Sequence, residues 1–270
     1  METEKEIQVV QGKLVEHLKG EKRRRYSRFT LAALSSIPWV GGVLSAMASV
    51  DAEKDQGTIN DFHRQWLEEH KVRIVKLWDT LNYMVERLEG FEEEIKDRLE
   101  SDEYLALVRK GFRSWDQADT DEKRNLIKNL LTNACATKLC ADDLVRLFID
   151  WINLYHESHF RVIREIFKSP GVSRGLIWDR TAGTRPREDS AEADVYKLLI
   201  RDLAMGSVIR QHRETDYAGN YIKKSTKGLP RASSGTMKSA FDDEEEYELT
   251  ELGKQFVHYT MNEVVLRVGG

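Results

Sequence analysis

Phe29-Thr-Leu-Ala-Ala-Leu-Ser-Ser-Ile-Pro38-Trp-Val-Gly-Gly42-Val-Leu-Ser-Ala-Met-Ala-Ser-Val50 runs for 22 residues without a charged side chain, and its reading decides the fold. As one helix it would reach about 33 Å, which matches the hydrocarbon core of a bilayer. The basic cluster before it, Lys22-Arg-Arg-Arg25 with Arg28, would then stay on the cytoplasmic side and attract anionic head groups. Pro38 and Gly41-Gly42 lie near the middle of the run, however, and favour two short helices joined by a tight turn. Neither arm is long enough to span a membrane. An apolar hairpin of this kind can sit inside a helical bundle or enter a membrane interface on release, and the sequence leaves both open. In the membrane reading Phe29, Leu34, Ile37, Trp39, Val43, Leu44 and Met47 enter the apolar phase, while Arg23, Arg24, Arg25 and Arg28 hold lipid phosphates.

The run stands out because the rest of the chain is so charged. Of 270 residues, 42 are Lys or Arg and 46 are Asp or Glu, which excludes a polytopic membrane protein. At that density a given 22-residue window escapes charge by chance roughly 2 times in 10,000, and such a window arises somewhere in the chain in roughly 4% of random arrangements, so chance is a poor account of the gap. A hydrophobic fraction of 40% supplies a real core. The net charge of −4 gives no global reason to expect nucleic acid, and any basic surface must be local. Cys135 and Cys140 have neither metal spacing nor the pattern of a disulfide framework, which suits a reducing compartment. Residues Met1 to Gln11 lack the features of a secretory signal. The expected location is the cytoplasm, with peripheral attachment or insertion at the inner face of the membrane if the apolar run engages lipid.

Outward from the run, the four prolines at 38, 170, 186 and 230 leave residues 39–169 free to be helical. Ile59, Phe62, Trp66, Leu77, Leu81, Met84, Leu88, Phe91, Ile95 and Leu99 recur mostly at helical spacing, giving one long helix with breaks expected near Gly57 or Gly90. Ser101 caps the next helix, and Asp119 with Glu122 resembles a capping box for another. A further helix is expected from Asp142 to Lys168, with Phe148, Trp151, Phe160 and Ile163 on one face.

After Pro170 the period changes. A short helix over Val172–Asp179 precedes a Gly/Pro/Arg loop from Thr181 to Glu188 and a helix from Ser190 to Ala204. Strand-like stretches follow at Gly206–Gln211, Asn220–Lys224 and Tyr247–Leu249, and Thr250 caps a last helix through Met261. The expected fold is mainly α: a helical bundle with a long helix and an N-terminal apolar hairpin, followed by a C-terminal winged-helix-like α+β domain. The corresponding divisions are a basic N-terminal segment (1–28), the apolar hairpin (29–50), the helical bundle (51–169) and the winged-helix-like domain (170–270).

No motif points to an enzyme. Gly171-Val-Ser-Arg-Gly175 matches a nucleophile elbow in letters, but a helix rather than a buried strand precedes it, so Ser173 reads as a helix cap. His156 and His159 share a helical face without an evident third ligand, and no phosphate-binding loop is present. No cofactor, metal or small-molecule substrate is expected.

The third helix of the winged-helix-like domain presents Glu192, Asp194 and Asp202 against Lys197 and Arg201, a poor set for entering the major groove. The wing is basic instead, and Arg210, Arg213, Lys223, Lys224 and Lys227 are the residues that would touch phosphate.

The stretch Asp121-Glu-Lys-Arg-Asn-Leu-Ile-Lys-Asn-Leu-Leu-Thr-Asn-Ala134, with Asp143–Ile149 and Tyr247-Glu-Leu-Thr-Glu-Leu-Gly-Lys-Gln-Phe256, resembles the bacterial abortive-infection alpha-type proteins and their uncharacterised relatives over about 130 residues. That resemblance implies a helical bacterial protein connected with resistance to phage, and it transfers no catalytic residue. The expectation is a non-enzymatic effector or accessory protein that binds a protein partner or itself and contacts membrane conditionally; the alternative is a soluble winged-helix DNA-associated regulator.

Overall fold

A computed structural model describes residues 26–42, 57–91, 95–137, 140–212, 217–218, 222, 239–241, 243 and 245–261. The chain divides into two compact units, Met1–Leu154 with Tyr259–Gly270, and Tyr155–His258. The first is helical. The second combines helices with a small antiparallel sheet.

In the first unit the charge-free run begins as helix α1 (Ser27–Ser35). It stops where the chain meets Pro38, because the residue before a proline is pushed out of the helical region. Ser36 closes the last turn, with its N–H and Oγ donating to the carbonyl of Ala33. Residues 38–42 are helical again, and the remainder of the expected hairpin lies outside the described residues. The long helix α2 (Gly57–Glu89) has 33 residues, a rod of about 50 Å. It ends at the expected Gly90, and the short α3 (Lys96–Glu100) follows. Among the described residues no helix is long and apolar enough to cross a membrane.

Helix α4 (Asp102–Gln117) is the centre of this unit and packs against α1, α5 (Asp121–Ala136) and α6 (Asp142–Leu154). Ser101 caps α4 as expected, accepting from the Tyr104 N–H. The cap of α5 is Thr120 rather than Asp119. Thr120 has the extended backbone of an N-cap and its hydroxyl accepts from the Lys123 N–H, whereas Asp119 pairs with Lys123 Nζ at 3.2 Å. On α1, Phe29 is fully buried, 6.4 Å from the rings of both Tyr104 and Phe112, while Leu31 on the opposite face is 61% exposed. Asn129 and Asn133 of α5 donate to the carbonyls of Thr260 and Tyr259, each at 3.0 Å. The Leu-Leu-x-Asn-Ala pattern is thereby explained: the leucines are core and Asn133 satisfies a helix end.

The expected helix from Asp142 to Lys168 is two helices. His156 is extended (φ −86, ψ 164), and its N–H donates to Nδ1 of His159, so the chain breaks at Tyr155–His156 and α7 (Glu157–Lys168) starts afresh. This break, rather than Pro170, is where the units divide.

The second unit runs α7, β1 (Val172–Ser173), α8 (Arg174–Thr181), α9 (Ala191–Met205), β2 (Ile209–Gln211), β3 (Glu246–Leu249) and α10 (Glu251–Thr260). The sheet order is β1-β3-β2, antiparallel throughout, with Val172 opposite Tyr247 and Arg210 opposite Glu248. Val172 was expected to be helical and is strand instead. Gly171 turns through φ +83 and donates to the Tyr247 carbonyl, which delivers the next two residues to the edge of β3. Of the strand expected over Asn220–Lys224 only Ile222 is described, and it is in no strand. In the Leu249-Thr-Glu-Leu-Gly253 pattern Thr250 caps α10, and a Cβ on Gly253 would fall 2.2 Å from the Val208 carbonyl oxygen.

Phe29→Ala is expected to lower unfolding stability by about 3–5 kcal/mol in urea titrations, and Leu31→Ala by about 0.5 kcal/mol or less.

Candidate functional site

The second unit contains a half-open groove of about 340 Å³ between α7, α8 and α9. Val162, Trp178, Val195, Tyr196 and Leu199 make its lining mainly apolar, with Arg161 and Glu192 as its charged residues. Its volume is at the lower end of ligand-sized sites.

Two of the lining residues, Trp178 and Tyr196, form a ring cluster with Phe241. Trp178 meets Tyr196 and Phe241 edge-on at 5.2 Å each, and Tyr196 stacks on Phe241 at 5.9 Å. Trp178 Nε1 donates to the Thr184 carbonyl, and the Tyr196 hydroxyl donates to the Arg174 carbonyl at 2.7 Å. Burial pushes the Tyr196 phenol well above its ordinary range, so it remains a hydrogen-bond donor at neutral pH.

A polar clasp fixes the loops beside these rings. Arg185 forks onto both carboxyl oxygens of Asp179 at 3.0 and 2.9 Å and also reaches Asp243 at 3.1 Å. Ser173 Oγ donates to Asp243 at 2.8 Å and accepts from the Leu176 N–H. Hydrogen bonds from Ser173 and Arg185 hold the Asp243 carboxyl below the usual carboxylate range. Ser173 therefore serves as the cap of α8. The clasp also accounts for Gly175, where a Cβ would fall 2.1 Å from Asp243 Oδ1.

Helix α9 closes the groove on one side and leaves apolar side chains open to solvent from Val195 of that wall outward. Ala193, Tyr196, Ile200 and Leu203 are buried, whereas Val195, Leu198 and Met205 are 53%, 41% and 77% exposed. Glu192, Asp194 and Arg201 are exposed beside them. Apart from Arg201, the exposed side chains of this helix are thus apolar or acidic where a groove-reading helix would present cations and amides.

No family model, curated protein or solved structure matches this chain. The site is therefore read from its own chemistry. Among the described residues no group of three or more His, Cys, Asp or Glu side chains can hold a metal ion.

The residues singled out in the sequence are not gathered at one place. Phe29, Leu34 and Ile37 are buried in the first unit. Trp39 is half-buried there, its Nε1 donating to Asp116 at 2.6 Å and its ring 5.6 Å from that of His70. Arg28 donates to the Glu100 carbonyl at 3.0 Å and pairs with Asp102 at 3.2 Å. Arg210 lies across from Glu248 on β3, and the same carboxylate takes His212, so the local charge is largely neutralised. Val43, Leu44, Met47, Arg23, Arg24, Arg25, Arg213, Lys223, Lys224 and Lys227 lie outside the described residues. Sequence reasoning missed the groove and the α9 stripe; the available signal was Val195, Leu198 and Met205 at spacings of three and seven along one helix.

Near the groove, His159 is a buried titratable group. Its Nδ1 accepts the His156 N–H, so Nε2 carries the proton, and Nε2 is 3.8 Å from Asp202 without a hydrogen-bond partner. Burial pushes its pKa down, opposed in part by Asp202. Folded chains then bind fewer protons at this site than unfolded ones, so its contribution is present above about pH 6.5 and is lost as pH falls. Urea midpoints are expected to fall from pH 7 to pH 5, this group costing at most about 1.4 kcal/mol per pH unit, and His159→Gln is expected to flatten that dependence.

Proposed function

We propose that this protein is a non-enzymatic interaction protein whose C-terminal unit, winged-helix-like in its order of elements, binds a protein surface through α9 and the groove beside it. The observation that carries the proposal is the exposed stripe of Val195, Leu198 and Met205 flanked by Glu192 and Asp194. Apolar side chains beside carboxylates are suited to a protein partner and repelled by phosphate. The pairing of Arg210 with Glu248 weakens the rival DNA reading at the one basic wing residue whose contacts are described. The sequence likeness to abortive-infection proteins supports a place for this binding in resistance to phage.

A photo-crosslinking amino acid at Val195, in the full chain expressed in bacteria, tests the proposal. A light-dependent adduct resistant to nuclease and sensitive to protease is expected. A nuclease-sensitive adduct would transfer the reading to a DNA-associated regulator, and absence of any adduct would remove α9 as a binding face.

Membrane contact enters the proposal as a conditional event. Drawing Phe29, Leu34 and Ile37 into lipid first strips them from the core, at roughly 1.5–3 kcal/mol each, and the released arm then has Trp39 and the apolar residues after it available for the interface. Flotation with anionic liposomes is expected to increase under conditions that loosen the first unit. Equal flotation of wild type and a folded Trp39→Glu/Val43→Glu variant would count against it.

A further inference from the structure

We infer that the partner of the α9 face is a second copy of this chain, lying antiparallel across it; the inference rests on the protein-binding reading above and names the occupant. Ala191, Val195, Leu198, Asp202 and Met205 are separated by four, three, four and three residues, the spacing of a two-stranded coiled-coil seam. Ala191, Val195, Leu198 and Met205 are exposed and Asp202 is partly so, hence the seam has no occupant among the described residues of its own unit.

Charge selects the arrangement. When two copies of α9 run antiparallel with Val195 of each against Leu198 of the other, these pairs form two central apolar layers, and Ala191 faces Asp202 in the two outer ones. The same register brings Asp194 of each copy beside Arg201 of the other. Their side chains are 74% and 66% exposed; within one copy Asp194 lies 3.8 Å from Lys197 and Arg201 3.9 Å from Asp202, long surface pairs that the contact across the seam replaces. Sliding to the next register places Leu198 against Asp202 and sets the two Arg201 side chains beside one another, which repels. A parallel pairing leaves Asp194 facing Leu199 and Arg201 facing Gly206, with no ion pair in either place. Only the first arrangement satisfies both the apolar layers and the flanking charges.

The groove adds to the fit. Ala191, Glu192, Val195 and Leu199 form its α9 wall, and Leu198 of the other copy projects onto the upper part of that wall. The four layers, Ala191 to Asp202 of each copy, span about 17 Å, less than a standard interface requires, so the dimer is expected to dissociate in the micromolar range.

Sedimentation velocity of the intact protein over a concentration series tests this. A monomer–dimer equilibrium is expected, weakened about tenfold or more by Leu198→Glu in a variant that keeps its circular dichroism spectrum. Asp194→Arg and Arg201→Asp are each expected to weaken it, and the double variant to recover within about threefold of wild type. A chain that stays monomeric at every concentration, or a dimer indifferent to Leu198→Glu and both reversals, overturns the inference. Weakening by both reversals without recovery in the double variant overturns the antiparallel register. A monomeric chain that still gives a protein adduct from Val195, to a different protein, removes the second copy and leaves the protein-binding reading intact. No adduct removes both.

Discussion

Phe29 between the rings of Tyr104 and Phe112 is the contact on which the first unit depends. It brings a segment without charges onto α4, the helix that also receives α5 and α6. An uncharged helix in water would expose its whole surface at a cost that rises with apolar area. Here one face, including Phe29, Ala33 and Ile37, is removed from water, and Leu31 and Ser35 are left outside. Ion pairs at the edges position helices without supplying the core. Arg98, for example, forks onto Asp142 and lies 5.3 Å from the Tyr104 ring, which links α3 to the start of α6.

The second unit is organised by polar groups to a greater degree. A sheet whose edge strands contain two and three residues cannot hold its loops by ladder hydrogen bonds alone. Arg185, joined to Asp179 and Asp243, supplies what the ladder lacks, and Arg174 joins Tyr247 and Glu245 in the same manner. The groove exists because these clasps fix the ends of α8 while the middle of the unit packs through Tyr196 and Phe241. The groove and the α9 stripe meet at Val195, which lines the one and begins the other, while every third or fourth residue of that helix turns inward.

Much of the helical unit was legible because its signals are local. Spacing located α2 and α4, and Ser101, Ser173, Ser190 and Thr250 announced helix starts through short side chains that reach a nearby N–H. Where the reading slipped, a contact distant in sequence or a backbone choice decided. Asp119 and Thr120 are both competent caps, and the extended backbone fell to Thr120. Nothing in the composition of Tyr155-His156 announces a break; it arises because the His159 ring turns back onto a backbone N–H. The candidate site was less legible, since an exposed valine and a buried one are the same letter. Only packing distinguishes Val195 from Val162.

The chain leaves the first unit at Leu154 and returns to it at Tyr259, which makes the second unit an uninterrupted stretch and the first a discontinuous one. On the ribosome the side-chain amides of Asn129 and Asn133 therefore emerge more than a hundred residues before the carbonyls that accept them. Synthesis at 5–20 residues per second puts that interval at roughly 6–26 seconds. The later-made domain can complete itself before the earlier one closes, so the order of maturation runs against the order of translation.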